Sequence, residues 1–130
     1  MTHIQIVALY TVPCALILFA LSVNCIRLRF KHKTSLGHGG HEEMERAMRA
    51  HANAAEHIPI VLIMLVLLGM LQASTLFIHI AGAVLVAGRT LHALAFTQVL
   101  PGNHWRVSGQ VLTFAAYFVA IAGLVVSVLR

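Results

Sequence analysis

The segment Glu45-Arg46-Ala47-Met48-Arg49-Ala50-His51-Ala52-Asn53-Ala54-Ala55-Glu56-His57-Ile58-Pro59 runs unbroken into Ile60-Val61-Leu62-Ile63-Met64-Leu65-Val66-Leu67-Leu68. The second half is apolar enough for lipid, so a membrane helix begins with arginines, an asparagine, glutamates and histidines. Ionisable groups at membrane depth are costly, and they either serve a site or pair with one another. At about 100° per residue, Arg46, Arg49, Asn53 and Glu56 fall within roughly 80° of arc on one helix face. Such a stripe suits a charged polar ligand gripped from inside a bundle. It equally suits an internal salt-bridge ladder that pins neighbouring helices, and spacing alone leaves both open.

Other segments bring compatible groups. Arg89, His92 and Phe96 stand at i, i+3 and i+7. Arg27 and Arg29 close the first apolar run, and Arg106 and Ser108 open the last. Together they predict a cationic pocket, half in lipid and half in water. Arginine's planar fork grips carboxylates bidentately, and a nearby cation favours a thiolate, the nucleophilic form of a thiol. The pocket therefore suits a polyanion or a thiol, with an apolar co-substrate arriving from the bilayer. The competing reading of Arg27, Arg29, Lys31 and Lys33 is a topology anchor on lipid phosphates. For Arg106 it is an interfacial anchor at the start of its helix. Nine histidines also raise metal or haem chemistry. His38-Gly39-Gly40-His41-Glu42 would be a surface zinc site, but neither an HExxH pattern nor a cysteine pair accompanies it. Haem needs axial histidines on facing helices. His51, His57, His79 and His92 are the candidates, without an obvious matched pair, and no metal is expected.

These groups need helices to hold them. The chain has 130 residues, 59% of them hydrophobic and 10% charged, with a mean hydropathy of +0.86; soluble domains carry about 25% charged residues. Four stretches, roughly 4–27, 42–71, 76–97 and 106–129, each approach the ~20 residues that span a bilayer. One all-α, integral membrane domain follows, an up-down-up-down four-helix bundle given its short connections. The first stretch lacks a basic leader and is followed by Arg27-Leu28-Arg29-Phe30-Lys31 rather than a cleavage site. Glycines 37, 39 and 40 suggest a flexible first loop, and Pro101-Gly102-Asn103 a turn in the third. Pro59 should bend the second helix where the polar stripe ends. The net charge of +5 lies at helix ends, so it does not suggest a nucleic-acid surface. Arg27, Arg29, Lys31, Lys33 and Arg46 flank loop one and Arg106 lies by loop three, while loop two has no basic residue. The positive-inside rule then puts loops one and three in the cytoplasm and both termini outside. Cys14 and Cys25 are too far apart on one helix to bridge.

These residues resemble the MAPEG family, the membrane-associated proteins of eicosanoid and glutathione metabolism. The resemblance covers most of the chain. It is most specific in Glu45 through Glu56, similar to the family's helix-two signature of an Arg, an Ala-His pair, an Asn and a Glu. Arg27-Leu28-Arg29 and Gly88-Arg89-Thr90-Leu91-His92 are similar to the family's helix-one exit and a helix-three segment. The short form with glycines before helix two resembles the bacterial inner-membrane branch. The resemblance implies a homotrimer with glutathione sites between subunits at the cytoplasmic side. It implies glutathione as co-substrate and a lipophilic substrate drawn from the membrane lipid. Arg27, Arg49, Asn53, Glu56 and His92 would contact glutathione, with Arg89 beside them. Glu56 would accept from its amino group, and Arg106 would stabilise its thiolate. Phe96 stands where better-known members often carry a tyrosine, so no hydroxyl is available there. The function so implied is a glutathione-dependent transferase or peroxidase. Its rivals are a non-catalytic membrane protein that binds an anionic lipid or a thiol, and a haem or quinone electron-transfer subunit. Glu56 should pair with Arg27, Arg49 or a neighbouring subunit.

Overall fold

A computed structural model describes residues 1–99 and 102–129. It contains four helices, α1 (His3–His32), α2 (Glu42–Met70), α3 (Thr75–Phe96) and α4 (Asn103–Val128), all long and apolar enough to cross a membrane. Thr2 and Gln5 form a reciprocal cap that starts α1, with Gln5 N–H donating to Thr2 Oγ1 at 3.2 Å and Thr2 N–H to Gln5 Oε1 at 2.8 Å. These bonds satisfy amide groups that a helix start otherwise leaves unpaired. The helix runs on through the basic residues to His32 and stops where Lys33 turns left-handed, with φ 50°. Three glutamates, Glu42, Glu43 and Glu45, lie in the first turn of α2, where the helix dipole favours negative charge. α2 continues through Pro59 without a break.

α2 packs against all three other helices, and α3 against α1, α2 and α4. Among the described residues α1 and α4 do not meet. The core between them holds Cys14, Val61, Leu65, Leu68, Ile78, Leu85 and Ala116, all fully buried. Cys25 is half-buried beside the smaller cluster of Leu28, Met44 and Ala47. α3 and α4 approach closely at Gly88 and Gly109. A methyl group on Gly109 would sit 2.7 Å from both the Gly88 carbonyl oxygen and the His92 nitrogen. Small residues at such crossings let backbones touch where lipid supplies no hydrophobic drive.

The first loop is not a free connector. Arg29 Nη1 donates to the carbonyls of Ser35 at 3.1 Å and Gly37 at 3.4 Å, so this arginine ties the loop to the end of α1. Lys31 and His32 both reach Glu43 Oε2, at 2.7 and 3.2 Å, joining α1 to α2. Pro101 of the expected turn lies outside the described residues; Gly102 beside it has φ 110°, a conformation that favours glycine.

Candidate functional site

A cleft of about 650 Å³ opens at the basic end of the bundle, within the ~300–1,000 Å³ usual for small-molecule sites. α2 supplies one wall through Arg49, Asn53 and Glu56. α3 supplies His92 and Phe96, and α4 supplies Arg106 and Gln110. Glu45, Arg46, Ala52 and Val107 complete the lining. Arg49, Asn53, Glu56, His92 and Arg106 are thus brought together from three helices. The Arg106 guanidinium lies over the Phe96 ring, 5.4 Å from its centroid, a cation–π distance. His92 tilts against the same ring at 4.9 Å.

The convergence of all four helices expected from the sequence does not occur within one chain. Arg27 stands beyond Arg46 and Phe96, in a smaller neighbouring pocket. Its Nε and Nη2 donate to Asn24 Oδ1 at 3.3 and 2.9 Å. Arg29 is engaged with the loop, and Ser108 is exposed outside the lining. The polar stripe of α2 also divides. Arg46 pairs with Glu42 at 3.3 Å, and Asn53 turns inward. Arg49 and Glu56 remain exposed. Neither Arg27 nor Arg49 forms an ion pair with Glu56 among the described residues.

Arg89 does not line the cleft; it lies beneath it, 1% exposed. Its Nη1 donates to Asn53 Oδ1 at 2.7 Å, and its Nη2 to Gln110 Oε1 at 3.2 Å and the Gly109 carbonyl at 3.5 Å. Its Nε is buried without a partner among the described residues. A guanidinium can only donate, so it fixes the polarity of everything beyond it. Gln110 must present its oxygen to Arg89, which leaves its amide nitrogen to donate to His57 Nε2 at 3.1 Å. His57 Nε2 is then the acceptor, and Nδ1 carries the hydrogen towards the Tyr117 hydroxyl at 3.2 Å. Tyr117 returns its own hydrogen to the His57 carbonyl at 3.4 Å. Donation runs outward from Arg89 in both directions, to Asn53 on one side and through Gln110 and His57 to Tyr117 on the other, so Arg89 orients both amides of the cleft, Asn53 and Gln110.

Sequence reasoning missed His57, Gln110 and Tyr117 as members of this network. A signal was present: Gln110, Thr113 and Tyr117 are polar at i, i+3 and i+7 of an apolar helix, which marks an inward face. The histidines considered as axial ligands lie in separate settings. His57 belongs to this network, His79 accepts or donates to Tyr10 at 2.7 Å near the other end, and His92 packs on Phe96. In the first loop His41 stacks on His32, with centroids 4.0 Å apart, and His38 Nδ1 accepts from Gly40 N–H at 3.1 Å. Among the described residues no three His, Cys, Asp or Glu side chains are grouped to hold a metal ion.

Four apolar helices define an all-α integral membrane protein that carries a basic cleft at one end. The chain belongs to the MAPEG family, whose model matches residues 7–126. It is 39% identical over 114 residues to the inner membrane protein YecN of Escherichia coli K12, an alignment that takes in 88% of this chain and 86% of that one. The protein of the same name from E. coli O6:H1 matches to the same extent.

Proposed function

We propose that the protein is a trimeric, glutathione-dependent transferase or peroxidase of the inner membrane, acting on lipophilic electrophiles. The observation that carries this reading is the charge pattern of the cleft. Arg46 and Arg49 suit the two carboxylates of a zwitterionic tripeptide, and Glu56 its amino group. Asn53, held by Arg89, offers an amide to its peptide bonds, and His92 with Phe96 forms the floor. Arg106 is the cation that would lower the thiol's pKa. The thiolate sulfur then bonds to an electrophilic carbon, whose leaving group departs with the bonding electrons. With a hydroperoxide, the thiolate sulfur takes the terminal hydroxyl to become a sulfenic acid, the alkoxide leaves and is protonated to an alcohol, and a second thiol condenses with the sulfenic acid to give a disulfide and water.

Assembly is supported by α2. Glu45, Arg49, Ala52, Glu56, Pro59, Ile63, Val66 and Met70 are all exposed and follow one another at alternating steps of three and four. That is the 3.5-residue repeat of helices that pack on copies of themselves. Arg49 and Glu56 are too costly to leave in lipid, and opposite charges on adjacent copies satisfy them. Family membership suggests three copies. The basic end faces the cytoplasm in this reading, by the distribution of Lys and Arg, and the relatives' name as inner membrane proteins supports the membrane chosen.

The experiment is thiol-dependent turnover of a generic aromatic electrophile by detergent-purified protein, with mass spectrometry of any co-purified thiol. Conjugate formation that requires glutathione supports the proposal; glutathione binding too weak to detect at millimolar concentration refutes it. One observation favours a second reading, a binder that is not a catalyst: among the described residues lining the cleft none carries a hydroxyl, so thiolate stabilisation falls to the arginines, Arg106 first. Tight binding without turnover would select that reading.

A further inference from the structure

Both amides of the cleft are turned into donors by the same buried cation. Asn53 gives its oxygen to Arg89 Nη1 at 2.7 Å, and Gln110 gives its oxygen to Arg89 Nη2 at 3.2 Å. A primary amide has one acceptor oxygen and two N–H donors. With the oxygens drawn to one guanidinium, the N–H ends are left for other partners. Gln110 gives one of its two hydrogens to His57 Nε2 at 3.1 Å. The second meets no acceptor among the described residues, and Gln110 lines the cleft.

The place of that second hydrogen follows from the helix. Gln110 comes four residues after Arg106 on α4, so the two stand on one face, a turn apart. Both line the cleft. A sulfur held by Arg106 therefore lies within a turn of the Gln110 amide. Asn53 stands on α2 between Arg49 and Glu56, beside the groups read as holding the ligand's carboxylates and amino group. Arg89 also strengthens the Gln110 donor. It has no carboxylate among its partners, and hydrogen bonds in series polarise one another. His57 fixes the amide from its other side and is itself fixed by Tyr117 at 3.2 Å.

We infer that Gln110 donates a hydrogen bond to the thiolate sulfur, which makes it a further catalytic residue of the cleft. The inference rests on the glutathione reaction proposed above. The arginines give the sulfur charge, and Gln110 gives it the directed neutral donor that a hydroxyl would otherwise supply. Gln110 gives up no proton. The thiol's own proton passes to water where the cleft opens, and the amide hydrogen stays on nitrogen while it stabilises the negative charge left on sulfur.

The test uses full-length protein in detergent with glutathione and S-methylglutathione, which has the same carboxylates and amino group but no ionisable sulfur. Losing a hydrogen bond to an ion moves a pKa by about 1–2 units. In Gln110→Met the thiol of bound glutathione, followed by ultraviolet thiolate absorbance, should titrate about 1–2 units higher than in wild type. S-methylglutathione should bind both proteins alike, because Asn53 keeps its bond to Arg89. Wild type carrying isotope-labelled glutamine gives a second reading in which no variant has to fold. Its glutamines are Gln5, Gln72, Gln98 and Gln110. One side-chain N–H resonance among them should move as bound glutathione ionises and stay still with S-methylglutathione. An unmoved thiol pKa in a Gln110→Met protein that binds S-methylglutathione, or no glutamine N–H that follows the titration, overturns the inference and leaves the glutathione reading in place. Wild type that binds neither ligand overturns both.

Discussion

Replacing Arg89 by lysine should destabilise the protein more than replacing it by methionine. Arg89 is 1% exposed, donates to Asn53, Gln110 and the Gly109 carbonyl, and has no carboxylate among these partners. Lysine keeps the buried charge, but its single ammonium cannot span acceptors on both α2 and α4, so at least one bond on one side is lost. Hydrogen bonds to charged groups contribute about 1.5–3 kcal/mol each in proteins generally, and interhelical ones in membranes average nearer 0.6. Two lost bonds therefore cost about 1–3 kcal/mol. Methionine strands the same acceptors, at about 1–3 kcal/mol apiece, yet it also removes an ion whose burial costs several kcal/mol. Its net effect should lie near zero. For a chain of this size 1 kcal/mol moves the melting midpoint by roughly 3–5 °C. Arg89→Lys should thus melt about 3–15 °C low, and Arg89→Met within a few degrees of wild type. Far-ultraviolet circular dichroism in one detergent measures both. Both variants should lose thiol affinity, because Asn53 is no longer oriented. If the lysine variant melts with wild type, or the methionine variant falls well below it, the account of Arg89 as a costly residue kept for the cleft is wrong.

Three further outcomes are expected. Gly109→Ala should cost about 1–3 kcal/mol by overpacking, since the new methyl group meets backbone of α3 at 2.7 Å on two sides; a melting curve superimposable on wild type would contradict the crossing described. In Arg106→Gln the acid-side limb of the pH–rate profile should move up by about 1–3 pH units, with turnover recovering in alkali; an unmoved limb in a folded variant would remove Arg106 from thiol activation. Alkaline phosphatase fused after α4 should be active and a fluorescent protein there dark, if the basic end is cytoplasmic; the opposite pair of results would invert the orientation.

The four helices and the stripe on α2 were legible because apolar length and helical period are local properties of the chain. The partition of the stripe was not. Whether Asn53 turns in and Arg49 out depends on where α3 puts Arg89, a contact 36 residues away in sequence. Arg27 and Arg29 look alike as a basic exit from α1. Two residues apart, about 200° around a helix, they face different surroundings, and one secures a loop while the other lines a neighbouring pocket. Arg89 read as a ligand contact because an arginine in a membrane helix demands a partner; that its partners are two amides and a carbonyl inside the fold is a tertiary fact.

The directional network also has a bearing on how the chain enters the membrane. Synthesis delivers Asn53 first, then Arg89, then Gly109 and Gln110. When α3 arrives, only one of its arginine's acceptors is present, on the α1–α2 hairpin already in place. An arginine at the middle of a membrane helix disfavours insertion by about 2.5–3.5 kcal/mol. α3 is therefore best accommodated beside Asn53 and beside the translocation machinery until α4 brings the remaining acceptors and the glycine that lets the two backbones touch. The last two helices are in effect one unit of biogenesis, committed to lipid together.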